Sequence, residues 1–345
     1  MKSLKELSLD ISEKEYRELP RYSYSQIAKY AREGLSCIPN LNKHISTSSL
    51  IFGSLVDTLL TDKDNFKNIY HVVDELPTDG IKNVLDVLYD KWHPNKIKDA
   101  SDACIQVACV EAGYYKDSKY TKTRLKNIRE CEGDYYLAIK RTCPNKIIID
   151  RKTYEEAVTC VETLINHPYT SRFFVDLPFS DEEKYFQLKF IGEYEGILLK
   201  CMVDLIIVDH EHKKIYPIDL KTTSKKEYEF AYSFLEWKYW IQAQLYTYLI
   251  KQNIEKDLFY KDYTVENYNF IVINKKSLSP MVWKFNQSSR EDGFEIKVDG
   301  VTKKYRSWRV LLKQLVYYIN QQCEVPFWVT ESVTIEEYFS KWKMD

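Results

Sequence analysis

The chain has 345 residues, 44% of them apolar, and a formal net charge of -1. That is enough chain to bury a sizeable core, and nine glycines and ten prolines are too few for a long disordered or low-complexity tract. The near-neutral balance excludes attraction of a polyanion by bulk charge, so such a partner needs basic residues gathered in a groove.

The opening "MKSLKELSLDISEKEYREL" alternates charge with leucine and has no signal-peptide apolar core. "YSYSQIAKYAREG" (22–34) predicts a capped helix with Ser23 or Ser25 as N-cap and Gly34 at its end. "SSLIFGSLVDTLLTD" (48–62) predicts another, and its Gly53 weakens the helix enough to suggest close packing against a neighbour. From about 80 to 142 several helical patterns follow, then a short strand in "NKIIID" and a helix in "RKTYEEAVTCVETLINHP" that ends by Pro168. "KYFQLKF", "EGILLKCMVDLIIVD" and "KIYPIDLKTT" read as three strands. "YSFLEWKYWIQAQLYTYLIKQ" reads as one long amphipathic helix, "YNFIVINK" and "SPMVWKFN" as two strands, and "KKYRSWRVLLKQLVYYINQQ" as a last helix before an aromatic tail.

The fold class expected is α/β, a central mixed sheet flanked by helices, with a helical N-terminal part. The expected division is a mainly helical region, 1–150, packed on a core of 151–345 as one compact unit. Eight cysteines include no CxxC pair and several lie in apolar helical patterns, which predicts reduced buried thiols. No apolar run reaches the about 20 residues that a membrane span needs. A cytoplasmic protein is expected.

The chemistry gathers at "VDLIIVDHEHKKIYPIDLKTT" (203–223). With "HEHK" as the loop and Asp209 facing Lys214, Asp204 falls opposite Asp219. Opposed Cβ atoms in such a pair stand about 4.5–5.5 Å apart. Asp219 and Lys221 are two positions apart and share a face. Two adjacent carboxylates repel unless a cation or a proton intervenes. Oxygen ligands of this kind suit Mg²⁺ or Mn²⁺, and a lysine beside them can orient an attacking water or stabilise charge developing at phosphorus. The trio therefore points to metal-assisted phosphodiester hydrolysis. A short D…DxK also occurs as an ordinary surface ion pair, but ionised groups seldom sit in apolar strands without a task.

"VD", "IDLKTT" and "YWIQAQLY", taken with "YSYSQIAKY", "FGSLVDTLL" and "TYEEAVTCVETLINHP" in that order, resemble the PD-(D/E)XK nuclease superfamily in its RecB-like branch, most of all the phage RecE or exonuclease VIII type. The resemblance implies Mg²⁺-dependent cleavage of DNA, often exonucleolytic and on linear duplex. A single-strand annealing protein and self-association are further partners it suggests. It implies Asp204 and Asp219 as metal ligands, Lys221 as the motif lysine and the Leu220 carbonyl as a backbone ligand. Gln242 and Tyr246 match its QxxxY helix, and Ser25 and Thr222 join them as DNA-binding or supporting residues. Two positions depart from the pattern. Asp57 stands where the family commonly has histidine, and Gln187 where it tends to have glutamate, with Glu183 as the substitute if the alignment slips. The basic-aromatic segments 122–129, 225–230 and 303–309 are candidate DNA contacts. An endonuclease with the same site, and an impaired copy kept for DNA binding or as a virion component, are the competing expectations.

Overall fold

The computed structural model describes residues 2–42, 47–176 and 180–324; the aromatic tail lies outside them. The chain forms two compact units, Met1–Gly53 with Cys160–Asp345, and Ser54–Thr159.

The first unit is built on a mixed sheet. Its strands are β1 (Glu182–Tyr194), β2 (Ile197–Asp209), β3 (Lys214–Thr223), the two-residue β4 (Thr264–Val265), β5 (Tyr268–Asn274) and β6 (Pro280–Phe285). The order is β1-β2-β3-β5-β6, with β4 also paired to β3. β3 runs antiparallel to β2 and parallel to β5. It is therefore flanked on both sides, and Ile215 and Ile218, three positions apart and so on opposite faces, are both fully buried. The expected hairpin register holds where the two strands pair: Asp209 faces Lys214 and Leu205 faces Ile218.

The helices of this unit include α1 (Tyr24–Glu33), α2 (Phe230–Glu236), α3 (Tyr239–Ile254) and α4 (Trp308–Glu324). Ser23 is the N-cap of α1, in a capping box with Gln26, and Gly34 ends it at φ 64°. α3 lies across β1 and β2 and packs on α1. The segment expected as one amphipathic helix is two. Trp237 ends α2, and Lys238 at φ 62° starts α3. The break re-aims the chain so that α3 is buried nearly all round, including Gln242, Gln244 and Thr247. A further hairpin, β7 (Phe294–Val298) and β8 (Val301–Tyr305), precedes α4. It turns on Asp299 and Gly300, both at positive φ, the two-residue turn that Asp-Gly favours. That signal was present in "VDGV"; the expected helix starts later because "KKY" belongs to this hairpin.

One division, between Thr159 and Cys160, falls near the expected boundary at 150, but a second one, after Gly53, sets the start of the chain with the sheet. Residues before 54 are stitched to the sheet. Leu9 N–H donates to the Lys189 carbonyl at 2.9 Å, Tyr22 N–H to Leu198 at 2.9 Å and Lys200 N–H to Tyr22 at 2.9 Å. Leu4 and Ile27 are fully buried in the same core as Phe190 and Val203. Burial against the sheet, not helical content, assigns them to it.

The second unit has its own core. Helices Asp79–Trp92, Asp102–Glu111, Thr121–Glu130 and Asp134–Thr142 close over Leu85, Leu88, Ile105, Ile128 and Leu137. A parallel pair, Tyr70–Val73 with Ile147–Asp150, completes it. Among the described residues no helix is long and apolar enough to cross a membrane. The cysteines in this description, Cys37, Cys104, Cys109, Cys131, Cys143, Cys160 and Cys201, are free thiols.

Candidate active site

The site lies on β2 and β3, on the side of the sheet that meets α3. Asp204 Oδ2 accepts a hydrogen bond from the Leu220 backbone N–H at 2.9 Å, which ties the two strands together just past their last paired residues. Asp219 is 1% exposed. Its Oδ1 accepts from the Gln242 Nε2 amide at 2.5 Å, and its Oδ2 lies 2.5 Å from the Lys221 ammonium. Burying a carboxylate in this way is tolerable only because an amide and a cation meet it. Burial disfavours the Lys221 ammonium, but the Asp219 carboxylate, with Tyr239 and Asp204, outweighs it and holds the Lys221 pKa above the ordinary lysine value. The same ammonium stands 4.9 Å from the centroid of the Tyr239 ring.

Gln187 is the irregular position. β1 and β2 pair at Phe186 with Leu205 and at Leu188 with Val203, so Gln187 stands directly across from Asp204. It has φ 54° inside a strand, a left-handed conformation that costs a non-glycine residue about 1 kcal/mol or more. The core-facing positions shift by one at this step. Leu188 and Phe190 point into the core on one side of it and Tyr185 packs against that core on the other; on β2 the change runs from Val203 to Ile206. Glu183 does not substitute for Gln187. It pairs with Val208, four positions or about 13 Å along the strand, and it faces the Tyr185 hydroxyl and His210 Nε2.

The other expected residues separate. Tyr246 is buried one helical turn from Gln242, its ring 6.2 Å edge-on from Tyr268, and burial pushes its hydroxyl pKa up. The Gly53 expectation is met by Thr222, because a Cβ on Gly53 would stand 3.3 Å from the Thr222 hydroxyl. Ser25 is exposed on the first turn of α1, 2.9 Å from the Ser23 hydroxyl. Asp57 lies in the second unit, half-buried on the helix Ser48–Thr61. In segment 122–129, Arg124 is buried and donates to the Tyr115 and Lys116 carbonyls, and Arg129 donates to those of Ile97 and Ala100. These arginines hold the fold. In 303–309, Arg309 pairs with Glu291. Segment 225–230 lines the cleft that Lys221 also lines, through Lys225 and Phe230.

Two site residues escaped the sequence reading. The Tyr24 hydroxyl donates to the Trp237 carbonyl at 2.7 Å, and its ring is 6.3 Å from that of Tyr239. Tyr239 itself backs Lys221. Tyr24 lies in the opening motif and Tyr239 is the first residue of "YWIQAQLY", but nothing local marks them as wall residues rather than core aromatics.

The donor set is all hard oxygen: the Asp204 and Asp219 carboxylates with the carbonyl of Leu220, which stands between Asp219 and Lys221 in the chain. Asp219 Oδ2 is met by the Lys221 ammonium, and the buried Gln242 Oε1 receives no hydrogen bond among the described residues. Two carboxylates on neighbouring strands, one half-buried and one buried, are hard-oxygen donors of the kind a divalent cation takes, so these residues fit Mg²⁺ or Mn²⁺. Among the described residues no three His, Cys, Asp or Glu side chains gather. A cation here would rely on two carboxylates, backbone oxygen and water.

The model of a family described as a PDDEXK-like domain of unknown function (DUF3799) matches residues 23–307. The chain belongs to that family. The match takes in both aspartates, the lysine and the QxxxY helix, and it supports a nuclease of PD-(D/E)XK type without singling out the phage RecE kind. No curated protein matches the chain. A crystal structure of a candidate exonuclease from Eubacterium rectale aligns over 86% of this chain and 98% of its own, at 10% identity and a TM-score of 0.33. A likeness that weak carries no argument here.

Gln187 offers a direct test of what the site takes up. Gln187→Glu sets a carboxylate across from Asp204, and the apparent Mg²⁺ requirement of cleavage is expected to fall about tenfold, since a charged oxygen binds a hard cation better than an amide. The check is a Mg²⁺ titration of initial rates for both proteins. An unchanged curve removes Gln187 from the cation site.

Proposed function

We propose that this protein is a Mg²⁺-dependent deoxyribonuclease that hydrolyses phosphodiester bonds at the ends of linear duplex DNA, as in phage-type recombination or DNA processing. The observation that carries the reading is the single cluster in which Asp204 is tied to Leu220 and Asp219 is shared between Gln242 and Lys221. Family membership supports the nuclease, and the resemblance to RecE-type enzymes supports the exonuclease. Mn²⁺ is expected to substitute. A single-strand annealing protein is a fitting partner for an enzyme that leaves single-stranded tails, and self-association is compatible with the reading.

A divalent cation held by Asp204 and Asp219 would supply a Lewis acid that neutralises phosphate charge and makes water easier to deprotonate. The chain's own residues do the rest. Asp204 and Asp219 fix the place of the positive charge, because one is held by a backbone N–H and the other by Gln242. Lys221 stays protonated and can stabilise the charge that builds on phosphate oxygens. Tyr239 and burial limit the water around that ammonium, which strengthens its field.

The test is incubation with end-labelled linear duplex and with covalently closed circular DNA, each in Mg²⁺, Mn²⁺ or EDTA. Loss of linear DNA only, and only with metal, is the expected result. Nicking of closed circles would make the protein an endonuclease with the same site. No cleavage of either, with binding retained, would favour an impaired copy, for which Gln187 in place of a carboxylate is the one specific observation.

A further inference from the structure

A cleft of about 170 Å³ opens beside the trio, with Lys221 in its wall. It lies past the C-terminal ends of β3 and β5, which run parallel and pair as far as Thr223 with Asn274. In open α/β sheets the crevice beyond the carboxyl ends of parallel strands is where ligands bind. Each strand contributes a lysine just beyond its paired end, Lys225 and Lys275, and both line the cleft. Their backbones are fixed: Lys275 N–H donates to the Thr223 carbonyl at 3.0 Å, and the Asn274 amide donates to the Lys225 carbonyl at 2.6 Å.

The two ammonium groups differ. Lys225 is paired with Glu236 at 2.8 Å, in an exposed contact that a stronger anion can displace. Lys275 lies 5.1 Å from the centroid of the Phe52 ring, and among the described residues it makes no ion pair with a carboxylate. The lining also carries Trp237, 43% exposed. Arg32, which does not line the cleft, sits 5.0 Å from the centroid of that indole and leaves the other ring face to whatever enters. The Trp237 backbone is held by the Tyr24 hydroxyl. Two cations and an exposed indole in one cleft match a phosphate joined to a planar base. The volume is below the about 300 Å³ of a drug-sized pocket, and suits part of one nucleotide rather than a duplex.

We propose that this cleft binds the single nucleotide unit adjoining the bond to be cut, with its phosphate on Lys275 and Lys225 and its base against Trp237. This rests on the nuclease reading and adds to it a residue set that selects a strand end unpaired by one nucleotide. Stacking on an indole is tolerant of base identity, so little sequence preference is expected at this position.

The test is a calorimetric titration of the metal-free protein with deoxyadenosine monophosphate, deoxyadenosine and inorganic phosphate. The expected result is binding of the monophosphate and much weaker binding of either half alone. Lys275→Ala and Trp237→Ala should each weaken the monophosphate by about tenfold or more, with Trp237→Phe retaining most of it. In single-turnover cleavage of linear duplex, the same two alanine variants should raise the half-saturating DNA concentration by a similar factor. No monophosphate binding up to about 10 mM, or affinity unchanged in a folded Lys275→Ala protein, overturns the proposal. Equal binding of inorganic phosphate and the monophosphate, untouched by Trp237→Ala, also overturns it, by reducing the cleft to an anion site. Failure of wild-type protein to cut DNA is a separate result. It removes the nuclease reading, while the titration judges the cleft by itself.

Discussion

Asp219→Asn is expected to lower the rate of DNA cleavage by on the order of 10³-fold or more while leaving DNA binding nearly intact. The asparagine keeps an oxygen for the Gln242 amide, so the local packing survives, but the charge that a divalent cation and Lys221 both depend on is gone. Single-turnover rates at saturating DNA, set beside binding measured in EDTA, separate the two effects. Asp219→Ala behaves differently. From the sequence, deleting one of two opposed carboxylates promises relief from repulsion. In the folded protein Asp219 is nearly inaccessible and carries the Lys221 ion pair. Its removal leaves a cation and an amide without their partner, and Asp219→Ala is expected to cost about 1–3 kcal/mol of stability, read as a shift in a urea midpoint. A stabilised alanine variant would show that the pair is strained rather than supporting.

Lys221→Ala is expected to reduce the chemical step by about 10²–10³-fold with a change of only a few-fold in half-saturating DNA. The ammonium lies inside the site against Asp219 and the Tyr239 ring, where it meets the phosphate charge that develops during reaction more than the charge of DNA in solution. A parallel loss of binding, with single-turnover cleavage unchanged, would reduce Lys221 to a phosphate anchor. Its pH behaviour follows from the direction of its shift. The Asp219 carboxylate raises the lysine pKa in the folded state. The stability this contributes is fully present below the unfolded lysine value and is lost only as pH rises through the higher folded value. Lys221 is therefore charged throughout neutral and mildly alkaline buffer, and the pH–rate profile should show no falling limb from this residue below about pH 10. A limb near pH 8 that disappears in Lys221→Arg would contradict that assignment.

What the sequence by itself determined is what local spacing encodes. The hairpin register follows from a short charged loop between two apolar strands, and period-two alternation then puts Asp219 and Lys221 on one face. Gln242 and Tyr246 follow from a helical spacing of four. The close approach at Gly53 was legible because a glycine inside a helix needs a reason, although Thr222 as the neighbour was not. Tertiary packing decided the rest. Residues 2–42 look like the start of a helical domain, yet backbone pairing with β1 and β2 and burial of Leu4 and Ile27 make them part of the sheet unit. The break at Trp237–Lys238 has no proline or glycine to announce it. It separates two helices that share one sequence pattern, and Trp237 and Tyr239 on either side of it line the cleft. The left-handed Gln187 was equally invisible, since no propensity favours that conformation in a strand. Pairing with β2 on both sides of it sets the residue there, across from Asp204. The cleft itself is the sum of such decisions. Lys225 and Lys275 are 50 residues apart in the chain, and they line one pocket because two strands run parallel and end together.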